Sequence, residues 1–431
     1  MVRTSSATRD VQRQRYETDG LEKLGAHRDL QAEAAQEGSR WYEGLVREVH
    51  YPAAETPVHG GRFSGPESAE VDRVLCKALD GERITVEEGV TLMRHADLGR
   101  LSLAAGAVTR RLHPGDVVTF IIDRNINYSN VCVTDCSFCA FYRHESDPDA
   151  YVLSHDQILA KVEELAAIGG TQILMQGGHH PKLPFDYYTE LLQKISARFP
   201  QVAIHSFSPS EINHFSHVFK RPVRDILADL KAAGLHSVAG GGAEILDERV
   251  RGIIAPHKAD TREWLGVMEE AAALGMKASA TMMFGHVETL EERVLHLDRL
   301  RQTQDRTRDP AGLGVFRAFA CWPYQDDNTA LGPGGASAFE YLRVLAVARL
   351  YLDNIPNMQA SWVTQGPKVG QVSLDFGCND LGGTMMEENV VSAAGTTYRV
   401  GPAEAVRLIR DAGFIPARRN TRYEILERYD A

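Results

Sequence analysis

The chain has 431 residues, room for one barrel-sized domain with additions or for two average domains. With 43% apolar and 24% charged residues, and only 37 glycines and 18 prolines, its composition excludes a fibrous or wholly disordered protein. Its 47 Lys and Arg against 58 Asp and Glu leave a net charge of −11, which argues against nucleic-acid binding because a phosphate backbone is held by concentrated positive charge.

Residues 1–65 carry nine basic and ten acidic side chains and close on Pro52, Pro57, Gly60, Gly61 and Gly65, which predicts a mobile polar extension. Met1 to Asp10 lacks an apolar signal core, and no apolar run in the chain approaches the roughly 20 residues of a membrane helix. A cytoplasmic protein without a membrane partner is expected. Residues 66–116 read as a helical cap, with Val71, Val74, Leu75 and Leu79 at helical spacing inside 67–80 and a second short helix over 85–95.

From Val117 the pattern becomes a repeated alternation of apolar strand, polar or glycine loop, and amphipathic helix. The expected strands are Val117–Asp123, Gln172–Gln176, Val202–Phe207, Ser237–Ala239, Lys277–Phe284, Val315–Ala320 and Gln359–Val363. After the first, Ser154 is a helix N-cap, Ile158, Val162 and Leu165 form an apolar stripe, and Gly169 stops the helix. Further helices are expected over Tyr187–Arg198, Val223–Ala233, Arg262–Leu274, Leu290–Gln302 and Phe339–Leu352. Such alternation predicts an α/β fold with a parallel sheet and right-handed crossovers, a TIM-like (βα) barrel, partial or full, rather than an open doubly wound sheet. Its core spans 117–325, and residues 326–431 complete the barrel and pocket. Ligands then sit beyond the carboxyl ends of the strands, where three suspicious motifs fall.

The first motif is Cys132, Cys136 and Cys139, a C-x3-C-x2-C run. The spacing also suits a buried helical stripe, yet Asn130, Val131, Val133, Thr134 and Asp135 are poor helix formers. Clustered cysteines point to metal. A structural zinc closes with four ligands, and Cys76, Cys321 and Cys378 are distant, which leaves His144 as the neighbour for a zinc-stabilised binding module. Three thiolates instead suit a [4Fe-4S] cluster with one iron open, in an enzyme or in an iron–sulfur electron carrier.

With Phe138 just before the last cysteine, this loop resembles the radical S-adenosylmethionine (SAM) superfamily, and the resemblance covers about Val117 to Tyr324. It implies a [4Fe-4S] cluster whose open iron chelates SAM, reductive cleavage to a 5′-deoxyadenosyl radical, and an electron donor such as flavodoxin or ferredoxin. Gly177 and Gly178 end the second strand, where backbone without side chains can approach SAM; the superfamily usually continues with Glu, and here His179, His180 and Pro181 follow. Gly240–Gly242, Ala243 and Glu244 end the fourth strand, with Glu244 a candidate for the ribose hydroxyls. Thr281–Thr289, which includes Met283, resembles the adenine-contact segment.

A narrower resemblance rests on Asp123–Cys132 (DRNINYSNVC), Ile204–Ile212 (IHSFSPSEI), Ser237–Ile245 (SVAGGGAEI) and Ala360–Gly366 (ASWVTQG), which look like the menaquinone and deazaflavin branch. Within it, Phe376–Val390 (FGCNDLGGTMMEENV) is most similar to the cyclic dehypoxanthinyl futalosine synthase family rather than to the aminofutalosine synthases or the deazaflavin synthase subunits. The implied activity is an oxidoreductase-type radical cyclisation of a small-molecule substrate, dehypoxanthine futalosine, in menaquinone biosynthesis. His205, Ser206, Ser208 and Arg317 are then candidates for orienting the substrate carboxylate or ribose, and His180, His205, His286 and Glu288 for accepting a proton. Trp362, Asn379, Asp380, Glu387 and Glu388 are expected to wall the pocket.

Overall fold

The computed structural model describes residues 66–430, so the extension expected over 1–65 lies outside the described residues. Three helices come first: α1 (Pro66–Leu79), α2 (Val86–His95) and α3 (Leu98–Leu112). A capping box between Thr85 and Glu88 starts α2, and the Asp97 side chain caps α3. The first two match the sequence expectation. The third, whose buried face is Leu101, Ala104, Ala105, Gly106 and Val108, falls within the expected helical cap, where the sequence does not delimit it as a helix of its own.

The remaining elements follow as β1 (Val117–Ile121), β2 (Asp123–Ile126), α4 (His155–Ala167), β3 (Gln172–Met175), α5 (Phe185–Arg198), β4 (Ala203–Ser206), α6 (Pro209–Phe219), α7 (Val223–Ala233), β5 (Ser237–Val238), α8 (Glu248–Ile254), α9 (Thr261–Ala273), β6 (Lys277–Phe284), α10 (Leu290–Arg306), β7 (Phe316–Pro323), α11 (Ala338–Tyr351), β8 (Asn357–Gln359), α12 (Trp362–Val372), β9 (Asp380–Gly383), α13 (Val390–Ala393), α14 (Pro402–Asp411), β10 (Ile415–Arg419) and β11 (Ile425–Arg428). One sheet holds all eleven strands in the order β11-β10-β1-β9-β8-β7-β6-β5-β4-β3-β2. Every pairing is parallel except β10 with β11.

The two ends of that order meet, because β1 and β2 are halves of one strand kinked at Ile122. Thr119 N–H donates to Asn379 O, and Thr384 and Met386 N–H donate to Ile121 O and Asp123 O, so one edge of the kinked strand keeps the β9 segment throughout. The opposite edge carries β10 as far as Phe120 and then passes to β3, with Thr171 N–H donating to Ile122 O. The sheet therefore curls into a barrel, with β10 and β11 added beside β1.

Helices cover the outside, and the strands show why the interior is a site. Outward positions are apolar and fully buried: Ile173 and Met175 on β3, Ile204 on β4, Ala280, Met282 and Phe284 on β6, Phe319 and Cys321 on β7. Inward positions alternate with them and include polar or small residues: Gln172, His205, Ser279, Thr281, Ala318 and Ala320.

Two expected strands change at their ends. The last stops at Gln359, and Trp362 and Val363 open α12, where Trp362 Nε1 donates to Gly383 O. The Val315–Ala320 strand runs on to Pro323 beside the whole of β6. Strands β9 and β10 read DLGG and IPARR, without the apolar alternation that marks a strand.

Candidate active site

The loop leaving β2 is irregular, as its poor helix formers require. Cys132 N–H donates to Arg143 O, Arg143 N–H donates to Asn130 O, and the Asn130 side chain bonds Asp149 O and Tyr151 N–H at 2.9 and 2.8 Å. The backbone turns at Asp135, whose φ is 46°. Cys132, Cys136 and Cys139, all free, line one cavity of about 430 Å³ inside the barrel, a volume suited to small ligands. Burial pushes the Cys136 thiol up to about 11 and raises that of Cys139. Phe138 lines the same wall. His144 does not; it stands exposed against Asp135 at 3.8 Å. Among the described residues no three His, Cys, Asp or Glu side chains gather to hold a single metal ion. Three thiols on one wall fit the donor set of a four-iron cluster with one open iron.

The glycine motifs stand on the same rim. Gly177 and Gly178 line the cavity, but what requires them is the neighbouring loop. A Cβ at 177 would lie 2.5 Å from the Tyr128 ring, and one at 178 would lie 2.1 Å from Val131 O. Both glycines therefore seat the cysteine loop as well as presenting backbone to the cavity. Glu211, which the sequence does not single out, fastens this region. Its buried carboxylate accepts from Tyr128 Oη at 2.9 Å, Gly177 N at 3.0 Å, Ser208 N at 2.7 Å and Ser208 Oγ at 2.8 Å.

Glu244 turns into the cavity from a left-handed residue with φ of 42°. One of its oxygens accepts from Lys258 Nζ at 3.0 Å, and the other, Oε2, is buried without a hydrogen-bond partner. Lys258 in turn sits 5.4 Å from the centre of the Phe138 ring, linking this carboxylate to the cysteine loop. A buried carboxylate oxygen beside the thiols, without a hydrogen bond and with only Arg251 at 3.8 Å, fits a site that a polar ligand completes. Met283 and His179 also line the cavity, and the His179 ring stacks on His214 at 5.0 Å.

Three of the four candidate proton acceptors lie off the cavity wall. His180 Nδ1 accepts from the N–H groups of Lys182 and Leu183, both at 3.1 Å. Glu288 is enclosed; burial opposes its ionisation, but His286 and Arg293 outweigh that and hold it down to about 2. These two groups and Glu340 brace the start of α10. His205 alone faces inward, its Nδ1 2.7 Å from Ser237 Oγ and its Nε2 3.1 Å from Ser279 Oγ. Burial, with Arg317 and Arg419 nearby, pushes it down to about 4, so it is neutral at physiological pH.

Near the amino ends of the strands the cavity has a polar floor. Asp123 is 3% exposed and accepts from Met385 N–H at 2.9 Å and Gln172 Nε2 at 3.4 Å. Burial pushes its carboxyl up to about 6, against the pull of the Met385 amide and of Arg419. Asp380 does not stand free: it is locked to Arg419, with Nη2 to Oδ1 at 2.9 Å, and receives Thr119 Oγ1 as well. Arg317, Gln359, Thr421 and Tyr423 complete this level. Of the other expected wall residues, Trp362 and Glu388 line the cavity, Asn379 bonds Met358 N–H and Asn357, and Glu387 pairs with Arg124 and Lys161. The signal that would have found Asp123 and Gln172 is the polar residue recurring at alternate positions of an otherwise apolar strand. Glu211, Arg419 and Thr421 have no such signal, since chain contacts far in sequence make their setting.

Residues 126–300 match the radical SAM superfamily, and residues 314–430 match the CofH/MqnC C-terminal region. The cyclic dehypoxanthine futalosine synthase of Halalkalibacterium halodurans is 45% identical over 84% of this chain and 96% of its own, and that of Streptomyces coelicolor is 46% identical over 84% and 91%. The aminodeoxyfutalosine synthase of Thermus thermophilus is 40% identical over 82% and 95%. Among solved structures, methylornithine synthase shares the fold with a TM-score of 0.63 at 19% identity, over 80% of this chain and 97% of that one.

Proposed function

The chain belongs to the radical SAM superfamily, in the group that carries the CofH/MqnC C-terminal region, and from that premise we propose that it cyclises dehypoxanthine futalosine in menaquinone biosynthesis. It is an enzyme acting on a small molecule, and its superfamily works with SAM and a four-iron cluster. The observation that carries the specific reaction is that two relatives of that activity match nearly their whole length more closely than the aminodeoxyfutalosine synthase does. When bound, cluster and SAM would supply, with release of methionine, a 5′-deoxyadenosyl radical able to take hydrogen from ribose carbon four; closure of that carbon on the benzoate ring would then give one proton to a base and return one electron to the oxidised cluster.

The roles of the chain's own residues follow from the cavity. Cys132, Cys136 and Cys139 hold the cluster, supported by their common wall. Glu244 Oε2 accepts from the ribose hydroxyls of SAM, supported by its lack of any hydrogen bond to the protein, its one charged neighbour being Arg251 at 3.8 Å, and Met283 flanks the adenine. The barrel wall keeps water and stray C–H bonds from a primary alkyl radical. For the departing proton Asp123 is a better acceptor than His205: it is ionised above about pH 6, whereas both nitrogens of His205 are engaged by serines. The reductant in this reading is a cytoplasmic flavodoxin or ferredoxin.

Anaerobic incubation of the reduced, iron-loaded protein with SAM and dehypoxanthine futalosine tests the reading. A product two hydrogens lighter than substrate, formed with 5′-deoxyadenosine, is expected. Conversion of an enolpyruvyl benzoate to an aminofutalosine, with dehypoxanthine futalosine untouched, would overturn it.

A further inference from the structure

Three cationic side chains other than histidine line the cavity: Lys258, Arg317 and Arg419. Two are neutralised by carboxylates, Lys258 by Glu244 at 3.0 Å and Arg419 by Asp380 at 2.9 Å. Arg317 is not. Among the described residues no carboxylate reaches it, and its side chain makes one hydrogen bond, from Nη1 to Thr421 O at 3.3 Å. Burial depresses its pKa, with Arg422 adding to the effect, while Tyr423 and Glu424 oppose it. A cation withdrawn from water without a partner is costly, and the cost is recovered when an anion arrives.

Its surroundings are donors too. Thr421 Oγ1 is buried, lines the cavity and has no hydrogen-bond partner. Tyr423 Oη accepts from Gln359 Nε2 at 2.9 Å, which leaves its own hydrogen available to a ligand. Ile121, Leu174, Ala278 and Ala318 supply apolar wall in the same cavity. This combination accepts a flat apolar group that ends in a carboxylate, the fork of a guanidinium being matched to two carboxylate oxygens.

We propose that Arg317, with Thr421 and Tyr423, forms an aryl-carboxylate subsite at the floor of the barrel, which fixes the substrate with its benzoate away from the cysteine rim and its ribose toward it. The assignment rests on the proposed cyclisation for the identity of the ligand, and on the floor's own donors for its chemistry. The position of Arg317 supports this direction: it is the second residue of β7, near the amino ends of the strands, while the cysteine loop leaves the carboxyl end of β2.

The test uses the full iron-loaded chain and two probes, benzoate and its neutral isostere benzamide, with binding read by equilibrium dialysis. Wild-type protein is expected to prefer benzoate by about tenfold or more, the value of one charge-assisted pair. Arg317→Gln should abolish that preference, Arg317→Lys should keep part of it, and Thr421→Val should weaken benzoate several-fold. Because Arg317 is unpaired, Arg317→Gln should melt no lower than wild type, which guards against misfolding. With dehypoxanthine futalosine, Arg317→Gln should raise KM far more than it lowers kcat. Wild-type protein that binds neither probe, or both equally, overturns the proposal, as does an Arg317→Gln variant that still prefers benzoate. If benzoate preference depends on Arg317 while dehypoxanthine futalosine is not turned over, the subsite stands and the cyclisation reading falls.

Discussion

A Cβ on Gly178 would lie 2.1 Å from Val131 O and 3.0 Å from Cys132 Cβ, so any side chain there must push the cysteine loop away from the strand it rests on. Gly178→Val is therefore expected to lose bound iron on anaerobic reconstitution, not SAM affinity alone, and an iron and sulfide assay checks it. Asp123 makes a prediction that depends on pH. Its carboxyl is raised from 3.8 to about 6 by burial, so the folded state favours the protonated form. Stability from this group is full below 3.8 and is lost as pH rises through about 6, so Asp123→Asn should not lower the melting temperature at pH 8. Catalysis runs the other way. Proton acceptance needs the carboxylate, so cyclisation should fall as pH drops through about 6, and Asp123→Asn should cost about 100-fold or more in product formation. Formation of 5′-deoxyadenosine should survive in that variant; equal loss of both would remove Asp123 from the proton step.

Between elements, the buried Asp380 and Arg419 pair ties β9 to β10, with Thr119 on β1 bonded to the same carboxylate. Removing one partner leaves a charge in the interior, so Asp380→Ala should cost about 3–5 kcal/mol in chemical denaturation. A loss no larger than that of an exposed ion pair would mean that water reaches Arg419. Glu211 plays a similar part at the rim, where one carboxylate joins the end of β2, the loop after β3 and the start of α6. This scale also separates what the sequence makes legible from what it does not. The strands from Lys277–Phe284 to Gln172–Met175 carry apolar runs bounded by turn residues, and helices such as α4 and α9 carry capping boxes, so both announce themselves. Strands β9 and β10 do not, because DLGG and IPARR are held by pairing with β1 and by a buried ion pair rather than by β propensity.

At the scale of the molecule, the kinked first strand closes the sheet, and closure turns the inward polar residues into a single cavity with thiols on its rim and Arg317 at its floor. The rim is legible in sequence because three cysteines in eight positions carry their own chemistry. At the floor the sequence singles out Arg317 as a candidate for the substrate carboxylate but neither Asp123 nor Thr421, since the three meet only after the chain has gone once round the barrel. His286 and Glu288 follow a strand end as site residues do, yet they pair with each other, Glu288 pairs also with Arg293, and neither lines the cavity. The measurement that bears most directly on the radical cyclisation uses dehypoxanthine futalosine carrying deuterium at ribose carbon four, incubated anaerobically with reduced protein and SAM and read by mass spectrometry. Deuterium should appear in 5′-deoxyadenosine, together with a cyclised product that has lost it. Unlabelled 5′-deoxyadenosine with the substrate recovered intact would contradict the assignment.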